Sequence, residues 1–143
     1  VTVKEFTMPN STFGRRHFLL GSGLSLGTLL ALPTIAASSE GGKVAIPLAK
    51  LEVLKSVGGS VVLKLKGRLV LLVRDGATSV RALNPVCTHR ECVVAYNPGE
   101  KKIKCPCHGS QFDLNGQVVH GPASRPLASY LAELAGEQVI VTL

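Results

Sequence analysis

The chain has no tryptophan, a single methionine, and only two tyrosines and four phenylalanines among its 143 residues. Aromatic residues amount to 4%. They do not interleave with lysine or arginine, and there is no basic run, so nothing argues for a surface that stacks bases and neutralises phosphates. Acidic residues are also scarce: nine Asp and Glu stand against sixteen Lys and Arg, a net charge of +7. From Glu40 onward 13 basic residues face 8 acidic ones, so most of the excess belongs to the C-terminal part. A mildly basic surface suits an acidic redox partner or anionic lipid, and it is also what an ordinary solvated face looks like. Charged residues make up 17% of the chain, apolar ones 45%, and mean hydropathy is +0.30. That value is high for a small soluble domain and points to a membrane segment. The length leaves room for one domain and a tail.

No cysteine lies outside two short clusters, Cys87-Thr88-His89-Arg90-Glu91-Cys92 and Cys105-Pro106-Cys107-His108-Gly109-Ser110. The C-x-H and C-x-x-H spacings let each short loop turn one thiolate and one imidazole toward a common point, as a metal centre requires. One cysteine per loop is left over. Zinc also takes two cysteines and two histidines at such spacings, so ligand type alone leaves a structural zinc site open. A zinc ribbon, however, has no need of a second cysteine pair, nor of Pro106, Gly109 and Ser110.

The two clusters resemble the Rieske iron-sulfur signature, C-T-H-x-G-C followed by C-P-C-H-G-S. In that family two histidines replace two cysteines on one iron of a 2Fe-2S cluster, which raises its potential. The resemblance implies that Cys87 and Cys105 hold the inner iron and that His89 and His108 hold the outer one. It further implies a disulfide between Cys92 and Cys107, the mark of the high-potential branch found in cytochrome bc-type complexes. His89 and His108 would then contact quinol and carry proton-coupled electron transfer. Ser110 matches the family serine that donates to a bridging sulfide. Phe112 stands where the family often has a tyrosine that donates to a cysteine sulfur, which implies a potential below the top of the range. Gly121-Pro122-Ala123 and Pro126 resemble the proline loop that covers the cluster from a third side. A second departure is Arg90-Glu91, where the family usually has Leu-Gly at the exposed tip.

A disulfide calls for an oxidising compartment, and the N-terminus supplies a route there. Gly14-Arg15-Arg16-His17-Phe18-Leu19-Leu20 resembles the twin-arginine export signal, which carries folded proteins with their cofactors already inserted; Gly14 and Leu20 depart from it. Phe18 to Ala37 is a run of 20 residues without a charge. As a helix it reaches about 30 Å, the thickness of a bilayer core. Lys4, Arg15 and Arg16 precede it with Glu5 as the one acid, so the N-terminus is expected inside and the remainder outside. Removal as a signal peptide is the alternative, with only a weak cleavage site near Ala36. Residues 1–17 thus read as a cytoplasmic twin-arginine region, 18–37 as a retained single-pass anchor, 38–43 as a flexible glycine-rich hinge, and 44–143 as the cluster domain.

That domain reads as all-β. Val61–Leu65, Arg68–Val73, Ser79–Leu83, Val118–His120 and Val139–Leu143 are strand-like runs separated by turn residues. Asn115-Gly116 is expected as a two-residue hairpin turn with positive φ at both positions. Residues 48–57 fit a short helical turn or an edge strand. The family has three stacked antiparallel sheets with the cluster at one tip, so the expected fold is a small Rieske-type antiparallel β-sandwich behind one transmembrane helix. The implied function is that of the electron-transfer subunit of a quinol:cytochrome c oxidoreductase in a bacterial inner membrane. Its cluster domain would lie on the periplasmic or outer face, with a cytochrome b-type subunit, a c-type cytochrome and quinol as partners in a dimeric multisubunit complex. An alternative is the Rieske subunit of another exported oxidoreductase, such as an arsenite-oxidase-like molybdenum enzyme. A Rieske ferredoxin serving an oxygenase fits less well with an export signal and a spare cysteine pair.

Overall fold

The computed structural model describes residues 3–5 and 42–143. The twin-arginine stretch, the apolar run Phe18–Ala37 and the hinge as far as Gly41 lie outside the described residues. Among the described residues no helix is long and apolar enough to cross a membrane.

The elements are β1 (Val3–Glu5), β2 (Lys43–Pro47), β3 (Ser60–Leu65), β4 (Arg68–Val73), β5 (Arg81–Leu83), β6 (Ala95–Asn97), β7 (Lys102–Lys104), β8 (Gln111–Phe112), β9 (Val118–His120), β10 (Ser129–Ala135) and β11 (Gln138–Thr142). Two single 3-10 turns, Leu48–Lys50 and Glu52–Leu54, fill the ambiguous stretch after β2. A seven-stranded sheet runs β1-β3-β4-β5-β10-β11-β2, and a four-stranded sheet runs β6-β7-β8-β9. Three separate sheets are therefore not found among the described residues. The long β10 pairs with β5 through Ser129 and Tyr130 and with β11 through Leu131–Ala135, which joins two of the expected layers into one. All pairings are antiparallel except β1 with β3, which is parallel in the register Val3↔Val62, Lys4↔Leu63, Glu5↔Lys64.

Alternation along the central strands sorts their side chains into two cores. On β4, Val70 and Leu72 enter one core while Leu71 and Val73 enter the other. Ala82 and Leu83 divide in the same way on β5. A strand buried on both faces reads as a continuous apolar run rather than an alternating one, which is why Leu69-Val70-Leu71-Leu72-Val73 is legible as a strand. The first core lies between β3-β4-β5 and β2-β11. The second lies between β3-β4-β5 and the four-stranded sheet, and it includes Cys87, Cys105 and Phe112. The two Cys/His loops are thus mounted on a packed core rather than on solvent-borne segments.

Two turns set the registers. Lys66 (φ 46°) and Gly67 (φ 81°) join β3 to β4, the positive-φ pair that a two-residue hairpin requires. The expected hairpin at Asn115-Gly116 is built differently: of those two only Gly116 has positive φ, at 82°. Asp113 organises this turn, its Oδ1 accepting from the N–H groups of Asn115 and Gln117, each at 2.8 Å. A short side chain that mimics the backbone relieves the residue after it of a strained conformation. Gly116 is needed for a second reason. A Cβ there would lie 2.7 Å from the Leu127 carbonyl oxygen and 2.9 Å from Leu83 Cδ2, so glycine lets the 121–127 loop close over the sheet.

Candidate metal centre

The two cluster loops repeat one backbone motif. In the first, Cys87 N–H donates to the Cys92 carbonyl at 2.8 Å, and Glu91 N–H donates to the Cys87 carbonyl at 2.9 Å. In the second, Cys105 N–H donates to the Ser110 carbonyl at 2.8 Å, and Gly109 N–H donates to the Cys105 carbonyl at 3.1 Å. Each loop sits on a closed antiparallel rung, Val86↔Val93 below the first and Lys104↔Gln111 below the second. The motif requires one left-handed residue just before its last position. Gly109 fills it with φ 77°, and Glu91 fills it with φ 54°.

Left-handed backbone costs an L-residue roughly 1–2 kcal/mol, and glycine avoids it at some entropic cost in the unfolded chain. Glu91→Gly is therefore expected to stabilise the domain by up to ~1 kcal/mol. Thermal unfolding followed by circular dichroism should show a midpoint a few degrees higher. An unchanged or lower midpoint would mean that the Glu91 side chain supports the loop.

Cys87 and Cys105 are free thiols, 1% and 2% exposed. His89 is half-buried and His108 exposed, with ring centroids 4.8 Å apart and planes at 86°. The loops thus set the two candidate imidazoles side by side and seat both free cysteines in the second core. His89 Nδ1 is buried without a hydrogen-bond partner. A buried imidazole nitrogen left bare is costly unless something absent from the protein itself binds it, and a metal meets that need. Cys92 and Cys107 are joined in a disulfide with Cα atoms 6.5 Å apart, so neither is available as a ligand. Their sulfurs lie within 4.8 Å of Cys105 Sγ, which packs the cross-link directly behind a candidate ligand. The donor set that remains, two buried thiolates and two neighbouring imidazoles, fits an iron-sulfur cluster with mixed ligation.

A third wall comes from the loop between β9 and β10. It contains a cis Gly121–Pro122 bond, and both residues are exposed. Ala123 N–H donates to Ser110 Oγ at 3.0 Å. Thr88 Oγ donates to the Arg125 carbonyl at 2.6 Å. The loop is therefore tied to each cluster loop by one hydroxyl. Sequence reading singles out the Gly-Pro stretch but misses both ties; Thr88, between two candidate ligands, was the available signal. Ser110 is fully buried, and since its oxygen accepts from Ala123 its hydroxyl proton is left for another acceptor. Phe112 is likewise fully buried and has no polar atom to offer. At the tip, Arg90 and Glu91 are both exposed and form no ion pair with any described residue.

Comparison with known proteins agrees with this chemistry. Residues 45–131 match the Rieske [2Fe-2S] domain. The chain is 35% identical over 152 residues to the cytochrome b6-f complex iron-sulfur subunit of Synechococcus elongatus, covering 92% of this chain and 85% of the relative. Among solved structures, the plasma membrane Rieske protein PetC3 of the cyanobacterium Synechocystis superposes with a TM-score of 0.58 at 32% identity, over 68% of this chain and 95% of that one. A chain of a hyperthermophilic respiratory Complex III gives a TM-score of 0.52 at 27% identity, over 76% of this chain and 80% of that one. The chain belongs to the Rieske [2Fe-2S] family, and a 2Fe-2S cluster is its cofactor.

Proposed function

We propose that the protein is the membrane-anchored Rieske subunit of a cytochrome bc-type complex of the b6f kind, taking one electron and a proton from quinol and passing the electron to a c-type cytochrome. One observation carries this reading. The likeness to a b6-f iron-sulfur subunit extends over 92% of the chain. Residues 42–143 cannot supply that share, so the similarity reaches into the N-terminal segment that holds Arg15-Arg16 and the Phe18–Ala37 run. A soluble ferredoxin has no use for such a segment.

In this reading Cys87 and Cys105 hold one iron, and His89 and His108 hold the other. The cluster, when bound, supplies a one-electron acceptor. The protein does the rest. The second core and the disulfide fix the thiolates. Binding through Nδ1, the buried unpartnered atom of His89, leaves Nε2 for the quinol; once that nitrogen has given up its own proton it would accept a hydrogen bond from the quinol hydroxyl and then its proton. The 121–127 loop, with Gly121 and Pro122 on its outer side, limits water at the third wall.

Ser110 and Phe112 tune the potential. Ser110→Ala removes a donor whose bond is stronger when the acceptor carries more negative charge, so the midpoint should fall by tens of millivolts; about 59 mV corresponds to a tenfold change for one electron. Phe112→Tyr should raise it by a similar amount. Protein-film voltammetry on the full chain in detergent measures both. An unchanged midpoint in Phe112→Tyr with the cluster intact would remove the argument that Phe112 lowers the potential.

Anchoring and export follow from the N-terminal residues. Arg15→Lys with Arg16→Lys should hold the folded protein in the cytoplasm, and normal export of that variant would sink the twin-arginine reading. A chain whose Phe18–Ala37 run crosses a bilayer has Val3–Glu5 on the face opposite the cluster domain, so anchoring requires the pairing of β1 with β3 to be given up.

Arg90 and Glu91 favour a second reading. Two charges at the tip that meets the electron donor suit a polar protein surface better than a quinol pocket, as in an exported molybdenum oxidoreductase. Purification in mild detergent separates the two. A co-purifying b-type haem supports the first reading, and a large molybdenum-containing subunit supports the second.

A further inference from the structure

The start of β2 and the strands beside it carry a mixed apolar and cationic surface. Leu131 on β10 is 77% exposed. It pairs with Thr142 on β11, and Thr142 pairs with Lys43, the first residue of β2. Lys43 and Leu131 line one shallow groove, in which Glu133 is the acid. From the other side the β3–β4 turn reaches the same place: a Cβ on Gly42 would stand 2.2 Å from Lys66 Nζ. Arg68 follows Lys66 in that hairpin, and Lys43, Lys66 and Arg68 are all exposed.

An exposed leucine rimmed by cations is the combination that settles at the boundary of headgroups and acyl chains in an anionic bilayer. Its place in the chain matters as much as its composition. Only residues 38–42 separate the apolar run from β2, a reach of about 17 Å when fully extended. We propose that the surface around the start of β2, formed by Lys43, Lys66, Arg68 and Leu131, docks on the anionic phospholipid surface of the membrane that anchors the chain. The proposal rests on the anchoring reading above. Docking there holds the domain beside the bilayer, and release lets it move within the reach of its tether.

The absence of tryptophan provides the test, because Leu131→Trp introduces a single fluorescent reporter at an exposed site. The full chain carrying it is reconstituted in vesicles of brominated phosphatidylcholine, alone or mixed with phosphatidylglycerol. Emission should be blue-shifted and quenched in the anionic vesicles and not in the neutral ones. Lys43→Gln with Lys66→Gln should lower the docked-to-undocked ratio by roughly tenfold or more, and high salt should do the same. Equal quenching in both vesicle types overturns the proposal, as does quenching that neither the double variant nor salt relieves. Carbonate extraction reads the anchor separately. Release by carbonate would sink the anchoring reading, and the same comparison with the released chain added to preformed vesicles would still decide the surface.

Discussion

His108→Ala should empty the metal centre, while His120→Ala should leave it full. His108 is exposed at the tip of the second loop with its ring 4.8 Å from that of His89. His120 is equally exposed, on β9, and was given no part in the ligand set. If the two imidazoles share one iron, losing His108 leaves that iron with one protein ligand, and water is a poor substitute for a fixed imidazole. Because metal binding energy is also folding energy in a site that the free chain does not hold rigidly, the loss should be close to complete. Iron and acid-labile sulfide per chain should fall at least roughly tenfold, together with the visible absorption and the rhombic paramagnetic resonance signal of the reduced state, with average g near ~1.9. Cys105→Ser should behave the same way. A His108→Ala protein that keeps its iron and sulfide would remove His108 from the ligand set, and one that holds zinc without sulfide would return the site to the structural-zinc reading.

The contrast between these histidines shows where the sequence is informative. Ligand spacing is a local property, since each loop needs only a few residues to turn a cysteine and a histidine the same way. The Cys/His pattern was therefore legible before any fold was known. So were β3, β4 and β9, whose apolar or β-branched runs and flanking turns carry their own signal. β10 was not. Ser-Tyr-Leu-Ala-Glu-Leu-Ala is rich in helix formers, and it is a strand because β5 and β11 pair with it on either side, a tertiary effect that overrides propensity. β7 is legible as the strand-like run that leads through Ile103 into the second loop, whereas β2, β6 and β8 are short and held by their neighbours. The ties from Thr88 to Arg125 and from Ala123 to Ser110 span long stretches of chain, and no periodicity reports a contact of that kind. Glu91 lies between these cases. Its left-handed backbone follows from a loop geometry that the sequence shows only through Gly109 at the equivalent place in the second loop.

Replacing both Cys92 and Cys107 by serine should destabilise the domain strongly without removing any candidate ligand. The disulfide closes a stretch with a sequence separation of 15, for which the restriction of the unfolded chain is worth roughly 3 kcal/mol. For a domain of this size that corresponds to a fall in unfolding temperature of roughly ten to twenty degrees. The local effect adds to the global one. Cys92 ends the hydrogen-bonded turn that begins at Cys87, and Cys107 sits between Cys105 and His108, so the bond joins the two loops where they must stay together to present ligands to one cluster. Its sulfurs lie within 4.8 Å of Cys105 Sγ, and serine oxygens there would admit water beside a ligand that is now 2% exposed. Unfolding with cofactor loss is not a simple equilibrium, so two readouts are needed: the apparent midpoint by circular dichroism at a fixed scan rate, and the rate at which visible absorption decays at constant temperature. The serine pair should lower the first and raise the second, whereas the single variant Cys92→Ser leaves a reactive Cys107 thiol and is the poorer test. If the double variant keeps both the midpoint and the cluster lifetime of the parent chain, the loops are held by their backbone motif and the second core alone, and the cross-link contributes nothing to the integrity of the site.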